Sequence, residues 1–157
     1  MLEPIYVSPF IIGARHVFKT MLDIDLVNRE PVAKGSRRTT ADVTGVIGFT
    51  GDREGTMTVS MSTSTALTIY SRLFNEQYSK ITPEIIDAVG ELTNIISGQA
   101  RKELEKQGLH VVAYVPMVFS GKGVEINFIT KGMPTTVPFS FTLDGAREEL
   151  SLDCVFE

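Results

Sequence analysis

The spacing of apolar residues changes along this chain from helical to alternating, and the change predicts its elements. Over 82–108 apolar residues recur at Ile85, Val89, Leu92 and Ile96, at spacings of four, three and four. That rhythm is one buried stripe of a long helix. Thr82 suits its N-cap and Pro83 its first position, where no backbone donor is needed, and Gly108 suits its stop. The opposite stripe is polar and carries Asp87, Glu91, Asn94, Gly98, Arg101 and Glu105. Ser8 and Pro9 predict the cap and first residue of an earlier helix, with Ile5 and Tyr6 in a short turn before it. Its apolar side is Phe10, Ile11, Ala14, Val17, Phe18, Met21 and Leu22. A further helix is predicted over 64–75, capped by Ser62 or Thr63, with Leu67, Ile69, Tyr70, Leu73 and Phe74 facing inward.

The remaining pattern is that of strands. Residues 43–50 and 56–61 flank Gly51, Asp52, Arg53, Glu54 and Gly55, which reads as a hairpin turn. This glycine-bearing turn lacks the Lys-Ser/Thr ending of a phosphate-binding loop and leads into a strand rather than a helix. Beyond Gly108, strands are predicted over 110–115, ending at Pro116, and over 117–120 after a break. Over 124–130 Val124, Ile126 and Phe128 alternate with Glu125 and Asn127. Runs over 136–143 and 149–156, joined at Asp144 and Gly145, complete an antiparallel meander. Residues 28–40 read as irregular and polar, with the basic cluster of 34–38 in a solvated loop or on a strand edge. The order of elements predicts an α+β fold, helices packed on a mainly antiparallel β-sheet. A helix followed by strands in each half suggests a weak internal pseudo-duplication.

Composition narrows the function classes. The 157 residues suit a single domain over 1–157 with a sizeable core. Hydrophobic residues make up 43% and charged residues 22%, which places the chain among ordinary folded proteins. A net charge of −4 argues against nucleic-acid and polybasic membrane roles, since phosphate binding needs a positive footprint. No apolar run approaches the ~20 residues of a membrane span, and the N-terminus has no signal-peptide pattern. One cysteine, Cys154, cannot form an internal disulfide, so a reducing compartment is expected and the cytoplasm is the default. Cys154 itself reads as a structural residue in a strand. His16, on a helix flank, and His110, at a strand start, lack partners at metal-ligand spacing and read as structural.

The polar stripe of the long helix is then the main candidate. Glu91 and Asn94 lie one turn apart and point the same way. Gly98 follows, where glycine costs a helix ~1 kcal/mol relative to alanine and would admit another backbone. By pattern alone a simply solvated face is the more common reading. The usual catalytic sets are missing: there is no GxSxG elbow, no HExxH, no CxxC and no dinucleotide fingerprint. An enzyme of this sequence must work with carboxylate, amide and hydroxyl groups.

The spacing Asp87-x3-Glu91-x2-Asn94, followed after 21 residues by Pro116, resembles the signature of the CheC/CheX/FliY chemotaxis phosphatases. The surrounding text, DAVGELTNIISGQARKELEKQG and VPMVFSG, is similar to the CheX type in particular. VIGFTGDREGTMTVSMSTSTAL extends the likeness over the hairpin and the helix entry after it. The CheX type carries one copy of this motif. In the first helix the matching register is Ser8, Ile12 and Arg15, which has no Glu or Asn, so a second site is not expected. The resemblance implies dephosphorylation of the aspartyl phosphate on a phosphorylated CheY-type response regulator. Asn94 would orient the attacking water and Glu91 would pair with the regulator's active-site Lys, while Asp87 and Gly98 would serve the partner contact. The chain would need no cofactor or metal of its own, because the regulator's site supplies Mg²⁺. A homodimer is also implied, with sheet edges as contacts. The alternative reading is a non-catalytic regulator-binding module related to flagellar switch proteins.

Overall fold

Among the described residues, three helices pack on an eight-stranded sheet whose pairings are all antiparallel. The computed structural model describes residues 2–126 and 130–157. In chain order the elements are α1 (Pro4–Leu22), β1 (Val27–Asn28), β2 (Val32–Ala33), β3 (Val43–Gly51), β4 (Gly55–Met61) and α2 (Thr63–Phe74). They continue with α3 (Pro83–Lys106), β5 (Val111–Ala113), β6 (Met117–Ser120), β7 (Thr135–Leu143) and β8 (Ala146–Phe156). The expected α+β class is the observed one.

The sheet gives the weak duplication a structural form. Its path is β1-β7-β8-β4-β3-β5, with β2 also on β7 and β6 also on β3. Each half of the chain contributes a helix, two short strands and a hairpin. The short strands of each half pair with the other half's hairpin: Val27 lies opposite Ser140, and Val43 opposite Ser120. The hairpins meet at the centre, where β4 and β8 run paired from Gly55–Phe156 to Met61–Leu150.

Over this sheet α1 and α3 cross closely. A Cβ on Gly13 would stand 3.0 Å from the backbone nitrogen of Ala100, so a larger residue there would push the two helices apart by a few tenths of an ångström. Phe10 of α1, Phe49 of β3 and Phe156 of β8 meet with ring centroids 5.8–5.9 Å apart. Strand β7 alternates as a half-buried strand should, with Val137, Phe139 and Phe141 in the core.

Several boundaries differ from expectation. Helix α1 begins at Pro4, not at Pro9; Pro4 takes the favourable first-turn position and Pro9 lies inside the helix. Pro9 removes one helical hydrogen bond. Packing outweighs that loss: Val7 and Pro9 are buried, and Tyr6 stacks on Phe156 at 5.9 Å. The stretch 28–40 contains two short strands, since Val27–Asn28 and Val32–Ala33 both add to β7. Its basic cluster is not a solvated loop throughout. The Lys34 ammonium, with a side chain only 12% exposed, lies 2.5 Å from the Asp153 carboxylate. Asp153 also accepts from Thr58 at 3.2 Å and Thr136 at 2.6 Å. Arg37 and Arg38 donate to the carbonyls of Gly132 and Gly123. Of the strand expected over 124–130, residues 127–129 lie outside the described residues. Val124–Ile126 form no strand, and Glu125 makes only an isolated bridge with Arg38. Strand β8 starts at Ala146, three residues before the expected 149.

Candidate functional site

Helix α3 is fixed at both ends and along its length. The Thr82 side chain accepts from Ile85 N at 3.2 Å, and Pro83 occupies the first turn. At the other end Gly108 takes the left-handed φ of +84°, and Leu109 N returns to Leu104 O at 3.1 Å. The expected stripe Ile85, Val89, Leu92 and Ile96 is buried, and Thr93, Ser97, Ala100 and Leu104 are buried with it. The stripe is wider than its apolar residues because α3 meets both the sheet and α1. Thr93 and Ser97 stay satisfied in that interior by donating to carbonyls of their own helix, Val89 O at 2.8 Å and Asn94 O at 2.7 Å. A Cβ on Gly45 of β3 would stand 1.9 Å from Thr93 Oγ1, so the helix sits directly on the strand at Thr93, next to Asn94.

The opposite face carries the expected candidates. Asp87 and Glu91 are exposed, and Asn94 and Gly98 are half-buried. Among the described residues, the side chains of Asp87, Glu91 and Asn94 take part in no ion pair and no hydrogen bond. The two carboxylates and the carboxamide therefore keep their bonding capacity free on a backbone that cannot easily shift. Carboxylates accept only, whereas the carboxamide both donates and accepts. At Gly98 a Cβ would meet only Arg101 Nη2, at an ordinary 3.7 Å. No contact among the described residues demands glycine there.

Pro116 stands in the break between β5 and β6, which pair with opposite ends of β3. Having no amide donor, it suits an interruption in an edge strand. The break lies beside α3, where Gly90 packs against Val118 of β6 with an added Cβ 3.3 Å from it. His16 is exposed, and His110 Nδ1 lies 3.6 Å from Glu105 on the surface. Cys154 is buried in β8, and burial together with Asp153 pushes its thiol pKa up. Among the described residues no three His, Cys, Asp or Glu side chains come together as a metal-holding group. No helix among them is long and apolar enough to cross a membrane. On α1 the matching positions Ser8, Ile12 and Arg15 are all exposed, as Asp87 and Glu91 are on α3.

One feature beside the site gave no sequence signal. Between α1, α2 and the first half of α3 runs a groove of about 460 Å³, whose α3 wall includes Asp87 and Glu91. Leu73 and Phe74, expected to face inward from α2, are only half-buried because they line this groove. Three separate helices build it, so no single periodicity announces it.

Comparison with known proteins agrees with this arrangement. The family described as chemotaxis phosphatase CheX matches residues 43–140. A curated relative, the CheY-P phosphatase CheX of Thermotoga maritima, is 37% identical over 82 residues, which are 52% of this chain and 53% of that protein. The match thus spans about half the length of that relative. The crystal structure of the chemotaxis protein CheX from Vibrio vulnificus superposes with a TM-score of 0.82 at 30% identity, covering 97% of this chain and 99% of that one. CheX from Desulfovibrio desulfuricans gives a TM-score of 0.84 at 29% identity with the same coverage. From the matched family segment and the near-complete structural overlap, the chain belongs to the chemotaxis phosphatase CheX family.

Proposed function

We propose that this chain accelerates hydrolysis of the aspartyl phosphate on a CheY-type response regulator, with Glu91 and Asn94 of α3 entering the regulator's site. The supporting observation is the pair of side chains, one turn apart and without partners among the described residues, on a helix held against the sheet at Thr93. The name of the Thermotoga maritima relative, a CheY-P phosphatase, points to the same substrate.

Phosphoryl transfer depends mainly on position and charge. An acyl phosphate is already reactive, and the regulator brings its own Lys and Mg²⁺. The missing component is a water placed in line with the leaving carboxylate oxygen. The Asn94 carboxamide can accept from that water while its NH₂ donates to a neighbouring oxygen, and the pair of contacts sets direction. Glu91 meets the regulator's Lys through a charge-assisted bond and fixes how deeply α3 enters. Asp87, one turn earlier, extends the acidic contact. Gly98, one turn later, leaves room for the regulator's surface. Water attacks phosphorus, the bond to the aspartyl oxygen breaks, and free phosphate and an aspartate carboxylate result. No covalent intermediate forms on this chain, and no cofactor of its own takes part.

The homodimer implied by the family is part of the same reading. It suits the edge formed by β5 and β6, unpaired on its outer side among the described residues, where Val112, Tyr114, Val115 and Met117 are all exposed, Val115 by 84%. A soluble cytoplasmic setting completes the proposal, since the regulator is its substrate.

Asn94→Ala is the direct test. Phosphate loss from the phosphorylated regulator should slow by about 100-fold, the scale of losing a positioning contact. Circular dichroism should stay that of the parent. A folded Asn94→Ala protein that matches the parent rate would sink the mechanism. A parent that binds the regulator without accelerating phosphate loss would leave a regulator-binding module instead.

A further inference from the structure

The groove beside Glu91 has a composition unlike the rest of the α3 surface. Met21 of α1, Leu73 and Phe74 of α2, and Ala88, Leu92 and Ile95 of α3 give it an apolar floor. Along its α3 wall stand Glu84, Asp87 and Glu91, at helical spacings of three and four. No Lys or Arg among the described residues lines it. Asp87 and Glu91 have no partner among the described residues, and Glu84 accepts only from the Tyr78 hydroxyl, at 3.2 Å. The Tyr70 ring lies beneath, its hydroxyl buried and likewise without a partner among the described residues.

An apolar trough with a wall of carboxylates complements an apolar side chain that has cations next to it. Position limits what can sit there. Glu91 belongs both to the groove wall and to the candidate site, so a protein that contacts Glu91 lies across the groove mouth. Isolated exposed apolar residues need no explanation, but a continuous trough next to unpaired charges marks an interaction surface.

We propose that the groove between α1, α2 and α3 is a second docking point for the receiver domain, seating one of its apolar side chains while Glu84 and Asp87 meet flanking Lys or Arg residues. This rests on the phosphatase reading for the identity of the occupant. It divides the labour along α3: Asn94 and Glu91 address the phosphate site, and the groove supplies affinity and selects among receivers. Because the groove contact is the same in ground and transition states, it acts on KM rather than on kcat.

Steady-state dephosphorylation of a phosphorylated receiver domain tests this, with the full chain and three variants. Met21→Glu places a charge at the exposed rim of the floor, and Glu84→Lys reverses one wall charge. Val32→Glu alters an exposed apolar residue on the far sheet edge as a control. Each variant is checked for parent-like circular dichroism, and Leu73→Ala replaces any that fails. The expected result is KM raised about 10-fold for the groove variants, the scale of losing one buried apolar contact. Their kcat should stay within about two-fold of the parent, and the control should match the parent in both. Binding of the beryllofluoride-activated receiver should weaken in parallel. Parent-like KM values in folded groove variants overturn the inference and leave the phosphatase reading intact. A parent that binds the activated receiver without catalysis, while groove variants lose binding, supports the docking groove and removes the phosphatase reading. A parent that neither binds nor dephosphorylates any receiver overturns both.

Discussion

Gly45→Ala adds one methyl group where α3 rests on the sheet. The new Cβ would lie 1.9 Å from Thr93 Oγ1 and 3.1 Å from Thr93 Cβ. Thr93 is fully buried, branched at Cβ, and donates its hydroxyl to Val89 O at 2.8 Å. Rotation about χ1 does not fully relieve the contact, because it leaves the Thr93 Cβ itself 3.1 Å from the added atom, tighter than an ordinary contact. The helix or the strand must therefore move. Forcing an extra methyl into a packed interior costs about 1–3 kcal/mol, and the upper half of that range is expected for so short a contact. For a chain of this length a loss of 2 kcal/mol lowers Tm by about 4–8 °C.

A double-mutant cycle isolates the cause. Thr93→Ala alone removes a hydroxyl and a methyl and should cost about 1–2 kcal/mol. Combined with Gly45→Ala it removes the clashing oxygen, so the pair should be less destabilised than the sum by about 1 kcal/mol or more. Equilibrium urea unfolding of the four proteins measures the coupling. Thr93 lies between Glu91 and Asn94, so the displacement reaches both. A shift of ~1 Å at a positioning residue can cost about 100-fold in rate. Phosphatase activity of Gly45→Ala should fall by at least about ten-fold and recover partly in the double variant. Parent-like stability of Gly45→Ala, or strict additivity in the cycle, would refute the claim that this contact sets the seat of α3.

Two further outcomes follow from charges elsewhere. Lys34→Met leaves the Asp153 carboxylate, 4% exposed, with only the hydroxyls of Thr58 and Thr136; it should cost about 3–5 kcal/mol in urea unfolding, with much of the loss recovered in Lys34→Met/Asp153→Leu, and a loss below about 1 kcal/mol would contradict the burial argument. Asp42 accepts from the Thr63 amide in the first turn of α2 at 2.8 Å, which holds its carboxyl below the ordinary aspartate range. A lowered folded-state pKa stabilises above the unfolded-state value of about 3.9 and is lost as pH falls through the folded-state value. Asp42→Ala should therefore lower Tm at neutral pH, with the gap closing progressively below about pH 4; a pH-independent gap would count against the amide–carboxylate bond.

What could be read from the sequence depended on whether the determining contacts were local. Helix α3 was legible because its cap, its first-turn proline, its stripe and its terminal glycine all lie within one stretch. The hairpin of β3 and β4 was legible for the same reason, with Phe49 returning to Gly55 across the turn. The start of α1 was not, because Ser8 and Pro9 form a good local start signal that Tyr6 and Val7 override through packing on a distant strand. Strands β1 and β2 are two residues each and exist only through β7, more than a hundred residues away. Nothing local marks them. Lys34 likewise looked solvated until Asp153 was brought beneath it. The residues of the candidate site were legible as a motif on one helix. The groove beside them was not, since its floor needs α1, α2 and α3 in place together.

The mirrored halves of the sheet separate what the scaffold contributes from what the residues contribute. Both α1 and α3 lie over the sheet, and each presents a solvent face at the same register. On α1 that face has Ile12, 47% exposed, where α3 has Glu91, and Arg15 where α3 has Asn94. An apolar side chain cannot pair with a receiver's Lys, and a guanidinium, with five donors and no acceptor, would repel it. A similar solvent-facing stripe is thus present on both helices, and the carboxylate–carboxamide pair on one. The two-fold plan therefore does not by itself predict two active faces, and function has to be argued from side chains rather than from the fold. The same comparison bears on Gly45. A contact that seats α3 on the strand matters for activity because α3, not α1, carries the acceptor and the carboxamide that the proposed chemistry needs.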